Sequence, residues 1–165
     1  MSAKGDVQAQ YLGSGDPALK NYYPAWLDNM ADDATLEGSM LDGVVEGAEA
    51  VRSVVVTIRS LYDRQEHKYA GPYADNRFLE DYVAEVRGEP IGCVVLVTRN
   101  DAGQTQHVVA SYRPRSSLLL LSRLLREKFA GTPYGEQFAA NESCNSRASL
   151  PFGALLSKIR CSLSV

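Results

Sequence analysis

A chain of 165 residues, 45% hydrophobic and 22% charged, has the composition of one ordinary globular domain with extensions, long enough to bury a substantial core. A net charge of −3 supplies no basic field to attract nucleic acid. The longest apolar runs, Cys93 to Val97 and Leu118 to Leu121, fall far short of the roughly 20 residues that cross a bilayer, so no membrane partner is expected.

Residues 1–14 carry glycines among small polar residues and read as a loose N-terminal segment without an apolar signal core, which makes the cytoplasm the expected location. Asp16-Pro17 is a helix-opening pair, an N-cap acceptor followed by proline at the first helical position. Leu19, Tyr22, Tyr23, Trp26, Leu27 and Met30 then recur at helical spacing, and Pro24 splits the stretch into two short helices or kinks it. Asp32-Asp33 reads as a solvated turn closing that helix. The alternation from Ala34 to Met40 predicts a short strand with Leu36, Gly38 and Met40 on one side. A Gly-bounded loop, Leu41 to Gly47, leads to an amphipathic helix from Ala48. Its inner face is Val51, Val54, Val55, Ile58, Leu61 and Tyr62, with Glu49, Arg52 and Arg59 pointing outward. Gln65 to Gly71 reads as a polar connection with a short strand around Lys68 to Ala70, stopped at Gly71-Pro72.

The next stretch is the most informative. Phe78 to Arg87, Ile91 to Arg99 and Gln104 to Arg113 form three consecutive antiparallel strands separated by two turn signals. Gly88-Glu89 supplies the positive φ of a tight reversal, and Pro90, lacking an N–H, is expected to leave that turn irregular. Asn100 to Gly103 predicts a type I turn ending in a left-handed glycine. In the first strand Tyr82, Ala84 and Val86 share one face, and Leu79, Asp81, Val83 and Glu85 share the other; Glu80 lies opposite Asp81. A leucine-rich amphipathic helix over 116–130 follows, stopped by Gly131. The expected domain is 15–131, and 132–165 reads as linker and tail, polar over Asn141 to Ser149 and apolar beyond. Cys93, Cys144 and Cys161 share no metal-ligand spacing, Cys93 being the simplest kind of core residue; no metal or cofactor is expected.

This order predicts an α+β domain: a curved antiparallel sheet wrapped as a cone around N-terminal helices, with an extra C-terminal helix. The stretch Trp26 to Glu37 (WLDNMADDATLE), then Gly47 to Arg52 (GAEAVR), then the strand ending Tyr112-Arg113-Pro114, resembles the SnoaL-like branch of the nuclear transport factor two-like superfamily. The resemblance implies a cone enclosing an apolar pocket. It fixes no reaction, because this cone serves isomerases, cyclases, hydrolases and non-catalytic modules. Carried over residue by residue, it is informative for what is missing. The proton-transferring aspartate of similar ketosteroid isomerases falls on Gly38, their second acid falls among Cys93 to Val97, and the water-orienting carboxylate of limonene epoxide hydrolases falls on Ala110.

The remaining candidates for catalysis are Asp81 in the first strand of the meander and His107 in the last. Tyr23, Trp26, Met40, Tyr62, Tyr82 and Tyr112 are the candidate ligand-binding residues. His107 points outward if Val108, Ala110 and Tyr112 line the cone, and His67 lies in the polar connection. The expected function is binding of a small hydrophobic or polycyclic molecule in the cone. The alternatives are an isomerase, cyclase or hydrolase using a pocket carboxylate as general base, and a non-catalytic interaction scaffold. A homodimer through the outer sheet face is the expected assembly, since a single-layer sheet with helices on one side leaves its other side uncovered.

Overall fold

Among the described residues, six strands form one mixed sheet in the order β2-β1-β6-β5-β4-β3, curved around two α-helices. The computed structural model describes residues 15–139; the expectations for the segment 1–14 and for the tail beyond Asn141 concern residues outside that range. The elements are β1 (Met30–Gly38), β2 (Val45–Glu46), α1 (Ala48–Ser60), β3 (Arg64–Ala74), β4 (Arg77–Val86), β5 (Glu89–Arg99), β6 (Thr105–Arg113) and α2 (Arg115–Lys128). Short 3-10 turns cover Pro17–Leu19, Ala25–Asp28 and Gly135–Gln137.

The β4-β5-β6 meander is the expected one. Its first reversal closes one residue earlier than the sequence suggests. Arg87 and Gly88 both have positive φ, 50° and 76°, as a two-residue primed turn requires, and Val86 pairs with Glu89. Pro90 therefore sits inside β5, where the turn does not need its missing N–H. Asn100 to Gly103 turns as expected: the Gly103 N–H donates to Asn100 O at 2.9 Å and Gly103 is left-handed at φ 76°.

Four features correct the sequence reading. The N-terminal stretch forms two isolated 3-10 turns and no α-helix: Asp16 caps the first through Ala18 N, and Pro24 has no N–H and biases Tyr23 away from helical backbone. β1 starts at Met30, so Asp32 and Asp33 lie within a strand; a register shift between Met30 and Thr35 leaves both exposed, while Ala34 and Leu36 are buried. The polar connection is the eleven-residue edge strand β3, with irregular register at His67/Tyr69 and Pro72/Ala74, a place where a sheet tolerates proline. The sheet is also not purely antiparallel, since β1 runs parallel to β6.

The core fills the space between the inner sheet face and the helices. Val51, Val54 and Ile58 of α1 and Leu121, Leu124 and Leu125 of α2 are buried against Leu36, Val97 and Val108. The domain also extends past Gly131. Phe138 is 1% exposed, stacks on Phe129 at 5.9 Å, and bridges Leu41, so 132–139 belongs to the core and is no linker. The buried Ser122 hydroxyl ties these parts together: it donates to Met40 O and accepts from Ala139 N.

Candidate functional site

Strand periodicity places Glu80 and Tyr82 on the inner face of β4, facing α1. Register then lays two rows across the sheet. One is His67, Tyr82, Cys93 and Tyr112; the next is Glu80, Val95, Ala110 and Gly38. The first row is bulky and aromatic. The second has shorter side chains, and a cavity lies over its Glu80, Val95 and Ala110. Leu36, Met40, Val95, Val108 and Ala110 form its apolar floor; Trp26, Glu80, Tyr82 and Tyr112 flank it; and Val55, Arg59 and Gln65, all half-buried, stand toward the mouth. The enclosed room is about 30 Å³, enough for a water or two, and the free space including the open mouth is about 410 Å³.

Glu80 is the ionisable group at the centre of this arrangement. It is 3% exposed, and its Oε1 accepts from Trp26 Nε1 at 2.6 Å and from the Tyr22 hydroxyl at 2.5 Å. Among the described residues nothing hydrogen-bonds Oε2. Burial pushes the carboxyl above its ordinary range; the two donors and the Arg59 charge oppose that rise without cancelling it. The two 3-10 turns explain the geometry, because they bring Tyr22 and Trp26 over the β4 wall from the same side.

Beside it the tyrosines form a chain of hydroxyls. Tyr62 and Tyr82 hydroxyls are 2.9 Å apart and Tyr82 and Tyr112 are 3.5 Å apart. Burial raises all three, so they stay protonated as donors across the ordinary pH range; it also pushes the Cys93 thiol up to about 12. His67 is buried between Tyr22 and Tyr82, with ring centroids at 4.6 and 5.3 Å, and its Nε2 has no partner among the described residues. Burial, helped by the Arg59 charge, lowers it to about 4, so it is neutral near pH 7.

The sequence candidates fall into three groups. Trp26, Met40, Tyr82 and Tyr112 line the cavity, and Tyr62 joins them through its hydroxyl. Tyr23 does not: it is 53% exposed and donates to Asp28. Asp81 and His107 stand on the opposite, outer face. Asp81 accepts from Arg113 at 2.8 Å, and His107 lies between Thr35 Oγ1 (2.6 Å) and Glu37 Oε1 (3.2 Å). Neither can reach a ligand in the cone. Three inner-face groups were passed over. Glu80 shares the parity of Tyr82, Ala84 and Val86, which is the signal that would have found it. Arg59, expected outward, is in the cavity wall, and His67, expected in a loop, is a core residue. Gly38 has φ 154°, and a Cβ there would lie 2.0 Å from Ala110 O, so no carboxylate side chain fits at this position.

No family model matches the chain, and no curated protein matches it. Solved structures do. A bacterial protein from Silicibacter pomeroyi with a cystatin-like fold superimposes with a TM-score of 0.61 at 14% identity, covering 69% of this chain and 83% of the other. A steroid delta-isomerase from Pseudomonas aeruginosa gives 0.59 at 18% identity, covering 65% and 79%. An NTF-2 like protein from Burkholderia xenovorans gives 0.46 at 15% identity, covering 56% and 74%. The curved sheet around α1, the cavity beneath it and the first two of these likenesses agree on the fold: the chain has a cystatin-like fold, as the SnoaL-like sequence resemblance implies.

Proposed function

We propose that this chain binds a small, mainly apolar or polycyclic molecule in the cavity, with the Glu80 carboxyl meeting its polar group. The observation that carries this reading is Glu80 itself: one oxygen is fixed by Trp26 and Tyr22, and the other is unclaimed by any described residue. Desolvating a carboxylate costs several kcal/mol unless partners offset it. Trp26 and Tyr22 account for Oε1, which is the acceptor their buried donors need, but they give Oε2 no partner; a ligand that hydrogen-bonds it does. The enclosed room is small for a ligand, so entry requires the mouth to yield. Val55, Arg59, Gln65 and the adaptable Met40 thioether are the parts able to move.

Acid–base turnover is the second reading, favoured by the raised carboxyl and its free oxygen. Such a group takes a proton from carbon beside a carbonyl and returns it elsewhere, while the Tyr82 or Tyr112 hydroxyl donates to the carbonyl oxygen. Because one neighbour in fold is described as a steroid delta-isomerase, polycyclic ketones are the first probes.

The test uses Trp26, the single tryptophan, as its reporter. Apolar and polycyclic ketones are screened by Trp26 emission and thermal shift, and hits are followed by NMR in D₂O. Binding without deuterium entering the ligand, weakened roughly tenfold in Glu80→Gln, supports the binding reading. Deuterium entry that stops in Glu80→Gln, with binding retained, supports turnover. Failure of every member of the set to bind removes both readings and leaves an interaction scaffold.

A further inference from the structure

Among the described residues, Arg59 is the only lysine or arginine in the cavity wall. It sits in the last turn of α1, where the helix dipole welcomes a cation, and that accounts for a basic residue at this point of the helix. The dipole does not account for the side chain turning into the cavity wall. The carboxylate available there, Glu80, is taken by Trp26 and Tyr22, and Arg59 forms no ion pair with it or with any other carboxylate among the described residues. Arg59 lines the cavity together with Val55 and Gln65, half-buried like them. A half-buried guanidinium offers a planar fork of donors that matches a carboxylate. Below it lies the apolar floor of Leu36, Met40, Val95, Val108 and Ala110.

We propose that the ligand of this cavity is an amphipathic organic anion, its carboxylate paired with Arg59 at the mouth and its ring or chain laid against the apolar floor. The proposal rests on the binding reading above and narrows it from apolar molecules in general to those with an acidic head. Its charge also sets an orientation. The acidic end stays outside, near solvent, and any second polar group on the body is delivered inward, to Glu80 and the tyrosine hydroxyls.

The experiment compares head groups on a fixed body. Adamantane-1-carboxylate and 1-adamantanemethanol, and in parallel decanoate and decanol, are titrated against the full chain by calorimetry and Trp26 emission. A charge-assisted hydrogen bond at a half-buried arginine is expected to favour each acid over its alcohol by about tenfold or more. That preference should shrink as salt rises. In Arg59→Gln the acid-to-alcohol ratio should fall to about one, with the far-ultraviolet spectrum and melting transition certifying that the variant is folded. Arg59→Lys, keeping the charge and losing the fork, should retain part of the preference. Acids and alcohols binding the wild type equally well would overturn this inference and leave the binding reading in place. An acid preference that survives Arg59→Gln overturns the assignment to Arg59. No binding by any of the four compounds overturns the inference and counts against the binding reading too.

Discussion

Gly38 illustrates how closely two strands can constrain one residue. Its φ of 154° and the closeness of Ala110 O leave no room for a side chain where β1 runs alongside β6. Gly38→Ala is expected to cost about 2–5 kcal/mol, the sum of a strained backbone and a forced contact, measured by urea denaturation. An unchanged midpoint would mean that the β1–β6 approach is looser than this. His67 makes a different kind of statement. Unfolded, it takes up a proton near pH 6.5; folded, it resists until about pH 4. Protonation therefore favours unfolding, so the stability it contributes is complete above pH 6.5 and is lost as pH falls toward 4. Glu80 acts in the opposite sense, because its raised folded value makes ionisation favour unfolding as pH climbs. To isolate the histidine, melting temperatures of the wild type and His67→Phe are compared between pH 4 and 7. The wild type should lose more on acidification than the variant, and parallel curves would rule out His67 as the acid-sensitive group. Both buried groups bear on legibility. Glu80 was readable, since period-two alternation puts it on the face of Tyr82. His67 was not, because a polar stretch ending in Gly71-Pro72 carries no alternation that distinguishes an edge strand from a loop.

At the scale of elements, legibility follows how strongly a pattern is enforced by burial. β4, β5, β6, α1 and α2 are each committed to the core along one face or both, so their apolar spacing had to be regular and could be read to within a residue or two. β3 pairs with a neighbour on one side only, and its register slips absorb Pro72, so its sequence is free of that discipline. The N-terminal stretch misled for the converse reason. Trp26 and Leu27 are buried at spacing a helix would also give, yet 3-10 turns bury them equally well. The C-terminal limit of the domain depends on a single side chain. Phe138 lies beyond the stop signal of α2 but under it in space, and Arg126 secures the segment by donating to Phe138 O at 2.9 Å and pairing with Glu136. Phe138→Ala is expected to destabilise the fold by about 3–5 kcal/mol. We propose accordingly that a chain ended after Ala140 keeps a cooperative melt while one ended after Gly131 does not. Calorimetry of the two truncations decides it: a cooperative transition in the shorter chain would show that the core closes without Phe138, and none in the longer one would assign the tail a structural role.

At the scale of the whole molecule, the sheet has two faces, and among the described residues only one is covered. The inner face has α1, α2 and the cavity. On the outer face, strand register aligns Leu79, Leu96 and Val109 side by side across β4, β5 and β6, with Val94 in the next row and Tyr69 on β3 at the level of Asp81. Leu96 is 37% exposed and Tyr69 46%. Charged groups flank it: Asp81 pairs with Arg113 on one side, Glu37 lies 3.2 Å from His107 on the other, and Arg77, on the same face of β4, has no ion-pair partner among the described residues. An apolar stripe with a polar rim is the pattern of a surface that meets another protein surface, and a second copy of this chain is the partner always available at matching concentration. We propose a homodimer built on this face, which would also give Asp81 and His107 a role at its rim in place of catalysis. Sedimentation at micromolar concentration should give twice the 18.0 kDa chain mass. Leu96→Glu, placing a charge in the middle of the stripe, should return the monomer with its far-ultraviolet spectrum unchanged and its ligand site intact, because the cavity opens on the other side of the sheet. A wild-type chain that sediments as a monomer would end the proposal. A Leu96→Glu chain that stays dimeric would move the interface to another surface.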